Sequence, residues 1–275
     1  MVKICSDFLS LQGEGKRTGL RSLFIRSYGC NLCCKGFGQK DPADKTTWVE
    51  PEYSLTVSPK YGCDSPNSWH PMFAKLFTDF KTGQELYTHL KSKYNVEAFK
   101  EIVITGGEPL LHQEFWTEFF TALTEDLSFN QYYITFETNG SLTLKDNFID
   151  FIKNNKQIKF LFSISPKLNC VAGVNENISI NYNALNTFID LYNSSIIDLQ
   201  LKFVYNGDER AYNKVKEIVT NLKNNIDNQD VMLMPVGGFN VETEMKQKTA
   251  VTCIKEGFRY CERVHVDIWG SKMGV

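Results

Sequence analysis

The chain has 275 residues, of which 42% are hydrophobic and 23% charged, a composition that disfavours extended disorder and suits one large α/β domain or two small ones. Thirty basic residues against thirty-two acidic ones give a net charge of −2, which excludes a strong electrostatic attraction to nucleic acid or to a membrane surface. No apolar run reaches the roughly 20 residues that a membrane-spanning helix requires. The first residues also lack the apolar core of a secretion signal.

Eight cysteines are present, and their arrangement indicates the compartment. Cys33 and Cys34 are neighbours, which is awkward for a disulfide framework and natural for a loop that binds a metal or an iron–sulfur cluster. We therefore expect a protein of a reducing cytoplasm, without a nucleic-acid or membrane partner.

Predicted strands and helices alternate along the chain after residue 80. Strands are predicted over 21–26, 101–105, 132–137, 160–165, 199–204, 231–234 and 264–269. Helices are predicted near 83–94, 114–127, 145–153, 182–192, 209–224 and 242–256. Strands that alternate with helices indicate βαβ units and a parallel sheet. About six such units predict an α/β fold, a full or partial (β/α) barrel with its functional loops at the C-terminal ends of the strands.

Residues 35–62 show no helical or strand period and are punctuated by proline and glycine. We predict that this segment is an insertion within a single domain that spans residues 1–275. A lid, a dimer contact and a docking surface for an electron donor are all compatible with such a long loop.

Three cysteines flank this insertion and are candidate ligands of an iron–sulfur cluster. Thiolates from Cys30, Cys34 and Cys63 would leave one iron of a four-iron cluster open for chemistry, and Cys33 is a rival for the second position. A structural zinc site is the alternative, because zinc takes four ligands and His70 is a candidate for the fourth. Buried free cysteines are a third explanation, and spacing alone leaves all three open.

Several further motifs follow one another along the chain. They are Leu11-Gln12-Gly13-Glu14-Gly15, Arg26 four residues before Cys30, Cys63-Asp64-Ser65, Thr105-Gly106-Gly107-Glu108-Pro109, Glu137-Thr138-Asn139-Gly140, Ser165-Pro166-Lys167, and His265 and Lys272 near the C-terminus. Together with Cys30-Asn31-Leu32-Cys33-Cys34, this ordered set resembles radical S-adenosylmethionine (SAM) enzymes. More narrowly, it resembles the 7-carboxy-7-deazaguanine synthase family.

The resemblance implies an activity, cofactors and partners. The family members are lyases of queuosine-type 7-deazapurine biosynthesis that convert 6-carboxy-5,6,7,8-tetrahydropterin to 7-carboxy-7-deazaguanine, with release of ammonia and regeneration of SAM. The implied cofactors are a [4Fe-4S] cluster, SAM and Mg²⁺. The implied partners are the small-molecule pterin, an electron donor such as flavodoxin, and a second copy of the chain in a homodimer.

The resemblance also implies a role for individual residues. Cys30, Cys34 and Cys63 would hold the cluster, with Cys33 as a bystander, and Ser65 would supply an oxygen to Mg²⁺ where the family usually has threonine. The SAM-binding set is Gly62, Cys63, Asp64, Gly107, Glu108, Glu137, Asn139, Ser165, Pro166 and Lys167, of which Glu137 and Asn139 could equally face the substrate. The substrate-binding set is Leu11, Gln12, Gly13, Glu14, Arg26, Thr105 and His265.

Elementary chemistry agrees with part of this assignment. Gln12 and Glu14 offer an amide and a carboxylate, which complement the amino-pyrimidinone edge of a pterin. Arg26 offers a planar fork for a substrate carboxylate. Gly107 lets the backbone approach a ligand closely. Each residue also has an ordinary explanation in a turn, a strand or an ion pair, so the assignment depends on the ordered set.

The chain departs from the family pattern in its cysteine loop. The family usually has two residues between the second and third cysteines, whereas 28 residues separate Cys34 from Cys63. The residue before the third cysteine is often aromatic and packs near the adenine of SAM, but here it is Gly62, with Tyr61 one position earlier. The departure leaves the adenine contact unassigned.

Two other classes of function remain compatible with the sequence. One is a radical SAM activase that generates a glycyl radical on a partner protein, which would share the cluster loop but would not need Gln12, Glu14 and Arg26. The other is a zinc-stapled binding protein without catalysis.

Overall fold

The structure is a computed structural model that describes residues 1–35, 63, 65–126, 129–222, 226–237, 241–270, 272 and 274. Most of the predicted insertion at 35–62 lies outside the described residues, as do Gly62 and Asp64 of the predicted SAM-binding set. Within the described part, no helix combines the length and apolar composition needed to cross a membrane.

One mostly parallel sheet runs through the described residues. Its strands are β1 (Val2–Leu11), β2 (Arg21–Ser27), β3 (Thr78–Phe80), β4 (Glu101–Gly106), β5 (Tyr132–Thr138), β6 (Ile158–Ile164), β7 (Asp198–Tyr205), β8 (Val231–Pro235) and β9 (Arg259–Tyr260). Their order is β3-β1-β2-β4-β5-β6-β7-β8-β9. The strands from β2 to β9 are parallel, whereas β1 is antiparallel to both of its neighbours.

Helices connect the parallel strands, as the sequence pattern predicts. They are α1 (Gly83–Lys93), α2 (Gln113–Asp126), α3 (Asp146–Asn154), α4 (Asn169–Ala172), α5 (Glu176–Ser179), α6 (Tyr182–Asn193), α7 (Glu209–Asn221), α8 (Thr243–Glu256) and α9 (Val264–Trp269). Side chains cap several of their N-termini: Thr82 accepts from the Glu85 N–H at 3.1 Å, and Asp208 accepts from the Arg210 N–H at 2.8 Å. Such caps satisfy backbone donors that the first turn leaves unpaired.

The two faces of the sheet differ in chemistry because successive strand residues point to opposite faces. The face toward the helices is apolar, and Phe136 of β5 stacks on Phe162 of β6 with ring centroids 5.3 Å apart. The inner face is polar. Its residues pair across neighbouring strands, Arg26 with Thr105, Glu137 with Ser163, and Ser163 with Gln200. Chemistry-bearing side chains therefore converge on the inner face.

The sheet is curled toward a barrel. The Val264 N–H donates to the Gly13 carbonyl at 3.0 Å, although β1 and β9 are seven strand positions apart. A flat sheet would separate those strands by about 34 Å, whereas the six residues that lead from the two strand ends to this bond span at most about 21 Å. Among the described residues, β3 and β9 remain unpaired edges. The predicted α/β fold is confirmed, and of the two predicted forms the sheet takes that of a partial barrel.

The N-terminal ends of the strands are covered by the 3-10 turn Gly15–Arg17. Lys16 Nζ lies 2.5 Å from the carboxylate of Asp198 in β7, and Arg17 lies 3.3 Å from the carboxylate of Glu101 in β4. This turn closes the end of the barrel that lies opposite the cysteine loop.

One predicted element is wrong. Residues 264–269 were expected as a strand because their apolar residues alternate, but they form α9, with i to i+4 bonds from Asp267 N to Arg263 O and from Gly270 N to Val266 O. The Val264–Gly13 bond starts this helix against the end of β1, where no sheet edge is available to a strand. β1, β3 and β9 are strands that the sequence pattern does not predict.

Candidate active site

The glycine turn after β4 lies against the cysteine loop. The Gly107 N–H donates to the Ser27 carbonyl at 3.2 Å, and the Glu108 N–H donates to the Gly29 carbonyl at 2.7 Å. A Cβ at position 107 would lie 2.1 Å from the Gly29 oxygen, so only glycine permits this approach. The turn and the loop that follows β2 therefore form one surface.

The three predicted cluster cysteines lie together. Burial raises the pKa of the Cys30 thiol to about 12, with Glu108 and Cys63 acting in the same direction and the Leu32 N–H and Lys167 opposing it. Cys63 packs against the buried cluster formed by Cys34, Ala172 and Val174. Cys33 is exposed. In the described part of the chain, no three His, Cys, Asp or Glu side chains were found that could hold a single metal ion.

Glu108 joins the glycine turn to the loop after β5. Its carboxylate is fully buried and accepts hydrogen bonds from Thr138 Oγ1 and the Asn139 N–H, both at 2.7 Å, and from the Leu110 N–H at 3.0 Å. Burial raises the pKa of this carboxyl, and the hydrogen bonds and Lys167 oppose the shift. The side chain thus holds together two loops that the sequence assigns to SAM.

A triangle of side chains connects the loop after β5 to the cysteine loop. Asn139 Nδ2 donates to Asn31 Oδ1 at 3.0 Å, and Asn31 Nδ2 donates to Ser141 Oγ at 2.8 Å. Ser141 Oγ closes the triangle by donating to Asn139 Oδ1 at 2.6 Å. Asn139 therefore contacts Asn31, the residue that follows Cys30, and both of its side-chain polar atoms are hydrogen-bonded.

The loop after β6 completes the cofactor side. The Ser165 N–H donates to the Thr138 carbonyl at 2.8 Å, and Lys167 Nζ donates to Ser165 Oγ at 3.1 Å, with Pro166 between them. The charge of Lys167 acts on Cys30 and on Glu108, so the ammonium lies near both.

Arg26 and Ser65 meet next to the cluster cysteines. Arg26 Nη1 donates to Ser65 Oγ at 3.3 Å, and the Ser65 N–H lies 3.4 Å from the Cys63 sulfur. Thr105, which is buried, is the cross-strand neighbour of Arg26 on the inner face. The structure thus brings a guanidinium and two hydroxyls to one place.

The segment after Leu11, the last residue of β1, enters the barrel from another direction. Gln12 Nε2 donates to Glu137 Oε1 of β5 at 3.2 Å, and the Glu14 N–H donates to Gln12 Oε1 at 3.1 Å. The Glu14 carboxylate pairs with the Lys202 ammonium of β7. Gln12, Glu14 and Glu137 are therefore in one group.

His265 borders the same group. A Cβ at Gly13 would lie 1.9 Å from His265 Nδ1, so glycine makes room for the imidazole. The charge of His265 also acts on Glu14. The C-terminal histidine and the segment after β1, which are some 250 residues apart in sequence, thus form one wall.

Lys202 and Gln200 are site residues that the sequence reasoning did not identify. Both occupy inner-face positions of β7, where they alternate with the buried Leu199, Leu201 and Phe203. Gln200 accepts from the Lys16 N–H at 2.8 Å and donates to Ser163 Oγ at 2.7 Å. Polar residues at every second position of an apolar strand were the available signal.

The ion pair of Lys202 and Glu14 is electrostatically stable. Burial alone would raise the pKa of the Glu14 carboxyl, but Lys202, with smaller effects from His265 and Arg263, lowers it to about 2. Burial alone would lower the pKa of Lys202, but Glu14 and Glu137 raise it above its usual range. Both groups are charged near neutral pH.

The donor set fits an iron–sulfur cluster with SAM. Cys30, Cys34 and Cys63 carry soft thiols at one edge of the barrel, and cluster binding would remove their protons. The glycine turn beside Cys30 and the loop that carries Lys167 supply backbone and polar groups at the same edge.

Comparison with known proteins decides the family. No protein-family model matches the chain. The 7-carboxy-7-deazaguanine synthase of Halobacterium salinarum is 30% identical over 283 residues, which cover 96% of this chain and 89% of that protein. This chain belongs to the 7-carboxy-7-deazaguanine synthase family.

A further relative and a solved structure are similar to this chain over nearly its whole length. The 7-carboxy-7-deazaguanine synthase of Rhodopirellula baltica is 26% identical over 284 residues, covering 98% of this chain and 88% of that one. The crystal structure of QueE from Escherichia coli shares the fold, with a TM-score of 0.59, 19% identity and coverage of 96% and 94%. The family and the radical SAM lyase class expected from the motifs are confirmed, which decides against the activase and the zinc-stapled protein.

Proposed function

We propose that this protein converts 6-carboxy-5,6,7,8-tetrahydropterin to 7-carboxy-7-deazaguanine with release of ammonia. The observation that carries the proposal is a single inner face with two halves. One half holds three cysteines and the loops of Gly107 and Lys167, and the other holds Gln12 and Glu14. A radical cofactor and a pterin would meet between the halves.

The cofactor half positions the cluster and SAM. Cys30, Cys34 and Cys63 would hold the cluster, and Cys33, which points to solvent, would not. The SAM contacts would come from Gly62, Asp64, Gly107, Glu108, Glu137, Asn139, Ser165, Pro166 and Lys167. When bound, these cofactors supply the radical that removes a hydrogen atom from the pterin.

The substrate half recognises the two ends of the pterin. The ionised Glu14 would accept from the N–H groups of the amino-pyrimidinone edge, and Gln12 would add an amide. Arg26 would pair with the substrate carboxylate, with its cross-strand neighbour Thr105 beside it. His265, which lies against Gly13, would be a further substrate contact. Leu11 and Gly13 would contribute backbone.

Ser65 would bind Mg²⁺. Its hydroxyl lies at hydrogen-bond distance from Arg26 and is adjacent to the cysteine edge, so a hard cation there would touch the substrate carboxylate as well. Because Ser65 already accepts a bond from Arg26, Mg²⁺ and Arg26 would share this oxygen or compete for it.

The remaining assignments belong to the same proposal. We place the enzyme in the cytoplasm as a homodimer that receives electrons from a donor such as flavodoxin. Residues 1–275 would form one domain, since every described strand belongs to one sheet, and residues 35–62 would be an insertion in it. The product would enter queuosine-type 7-deazapurine biosynthesis.

Product identification tests the proposal. Anaerobically reconstituted protein is given the carboxylated pterin, SAM, Mg²⁺ and a chemical reductant, and the products are identified by mass. We expect 7-carboxy-7-deazaguanine and ammonia in equal amounts. A parallel reaction with the pterin that lacks the carboxylate should give no deazapurine, because Arg26 then has no substrate carboxylate to bind. Cleavage of SAM without deazapurine from the carboxylated pterin would refute the substrate assignment.

A further inference from the structure

Lys202 is a buried cation on the inner face of β7. Its side chain is 7% exposed, and its ammonium pairs with the carboxylate of Glu14, whose side chain is 16% exposed. Removing two charges from water costs free energy that their attraction repays only with good geometry and further hydrogen bonds. A fold that needed only a filled core could place an apolar residue at this position, as it does at Leu201 and Phe203.

The pair is anchored from several elements. Glu137 of β5 and Cys261 after β9 face Lys202, while His265 and Arg263 face Glu14. The Glu14 backbone is held by Gln12, whose own amide is bonded to Glu137. Glu137 is held by its position in β5, whereas Glu14 lies in the loop after β1. Lys202 therefore fixes the orientation of Glu14.

The contact leaves Glu14 capable of further binding. A carboxylate accepts about four hydrogen bonds, and among the described residues Lys202 contacts only its Oε2 atom. The other oxygen and the free lone pairs can accept the N–H groups of an amino-pyrimidinone. An ionised, immobile acceptor recognises these donors better than a protonated or rotating one.

We propose that Lys202 is a positioning residue for pterin recognition, which holds Glu14 ionised and in one orientation toward the amino-pyrimidinone edge. The inference rests on the proposed function, because it takes the pterin as substrate. It assigns Lys202 no contact with the reacting atoms. Its loss therefore affects pterin binding more than cluster assembly or SAM binding.

The test compares Lys202→Met with wild type. We expect the KM for the pterin to rise by about tenfold to a hundredfold, the range for loss of a hydrogen bond to a charged group. Iron and sulfide per chain and the KM for SAM should stay unchanged. Lys202→Arg, which restores the charge, should recover most of the loss.

A pH series separates positioning from a packing effect. With Lys202 absent, burial should move the Glu14 pKa up from about 2 toward neutrality, although His265 and Arg263 still oppose that shift. The ratio of the variant KM to the wild-type KM should therefore grow as the pH falls from 8 to 5.5.

Two controls keep the result unambiguous. Lys216→Met removes another Lys–Glu pair, with Glu256 on α8, far from the inner face, and should leave the pterin KM unchanged. The double variant Glu14→Gln/Lys202→Met removes both charges of the pair, so it also serves if Lys202→Met does not fold. Its KM should not exceed that of Glu14→Gln by more than about twofold, since neighbours that act together are not additive.

Two outcomes overturn the inference. One is a Lys202→Met enzyme with wild-type pterin KM at every pH, and the other is a double variant far weaker than Glu14→Gln alone. A wild-type enzyme that makes no deazapurine would instead refute the proposed function, so the two failures are distinguishable.

Discussion

Asn139 donates a hydrogen bond of 3.0 Å to Asn31, although 108 positions separate the two residues in sequence. The bond joins the loop after β5 to the residue that follows Cys30. Ser141 bonds to both side chains, so the cysteine loop is tied to the barrel by a closed set of contacts. The cysteine loop is therefore positioned by three side chains that are not proposed as ligands of the cluster, those of Asn31, Asn139 and Ser141.

Asn31→Ala should weaken the hold on the cluster without removing a ligand. The substitution removes two partly buried hydrogen bonds, each worth about 1 kcal/mol. Even one of them corresponds to about a fivefold faster loss of iron to a chelator if the whole effect appears in the bound state. Iron release followed by absorbance under anaerobic conditions measures it. Asn177→Ala, an exposed residue of α5, is the matched control. Equal release rates for the two variants would contradict the role of the triangle.

Cys33 and Cys34 should respond oppositely to substitution. Cys34 is buried against Cys63, Ala172 and Val174, whereas Cys33 is exposed. We expect Cys33→Ala to bind iron and sulfide like wild type and Cys34→Ala to lose the four-iron cluster, as iron and sulfide analysis after anaerobic reconstitution would measure. The reverse pattern would reassign the second ligand.

Gly13→Ala should disturb the substrate half through His265. The added methyl group would lie 1.9 Å from His265 Nδ1, so the imidazole or the backbone must move. We expect a higher KM for the pterin with an unchanged iron content. The double variant Gly13→Ala/His265→Ala should be only slightly weaker than His265→Ala alone, because the imidazole is gone and only the Cβ of residue 265, 3.0 Å away, remains close. A double variant that shows the full sum of both losses would mean that Gly13 acts independently of His265.

Glu101 should make stability depend on pH. Burial raises the pKa of its carboxyl from the ordinary 4.5 to about 7, with Arg17 and Thr135 opposing, and its Oε2 has no hydrogen-bond partner among the described residues. The folded state then binds more protons than the unfolded state between these pH values, so the free energy of unfolding falls as the pH rises through that window.

Glu101→Gln should remove this pH dependence. The difference in unfolding free energy between wild type and variant should decrease by at most about 3 kcal/mol from pH 4.5 to 7.5 and stay level above pH 8. Thermal unfolding followed by circular dichroism under anaerobic conditions measures it. Glu114→Gln on the exposed face of α2 should keep the wild-type slope. If the unfolding free energy of Glu101→Gln changed with pH as that of wild type does, the Glu101 carboxyl would titrate at its ordinary pKa.

The barrel core could be predicted because each parallel strand is a short apolar run followed by a turn and an amphipathic helix. The elements that were missed lack such a pattern. β9 has only two residues, β3 has three, and α9 alternates like a strand in Val264, Val266 and Ile268. Their conformation depends on contacts such as that of Val264 with Gly13, which exist only after the sheet has curled.

The sequence pointed to candidate site residues where a motif marks a turn. It did not point to those that lie inside a strand. Gly107, Asn139 and Lys167 follow strand ends and carry recognisable neighbours. Lys202 is marked only by the alternation of polar and apolar residues along β7, and its partner Glu14 lies 188 positions away in sequence. Which of the polar residues on β7 meets Glu14 depends on barrel curvature, and a single sequence does not encode that visibly.

The number of 7-carboxy-7-deazaguanine molecules formed per SAM consumed tests the central claim most directly. If SAM and the pterin meet in one site and SAM is regenerated in each cycle, the reconstituted enzyme should release many product molecules for each SAM lost. Continued loss of SAM with no deazapurine, in protein that has its full iron and sulfide content, would contradict the account.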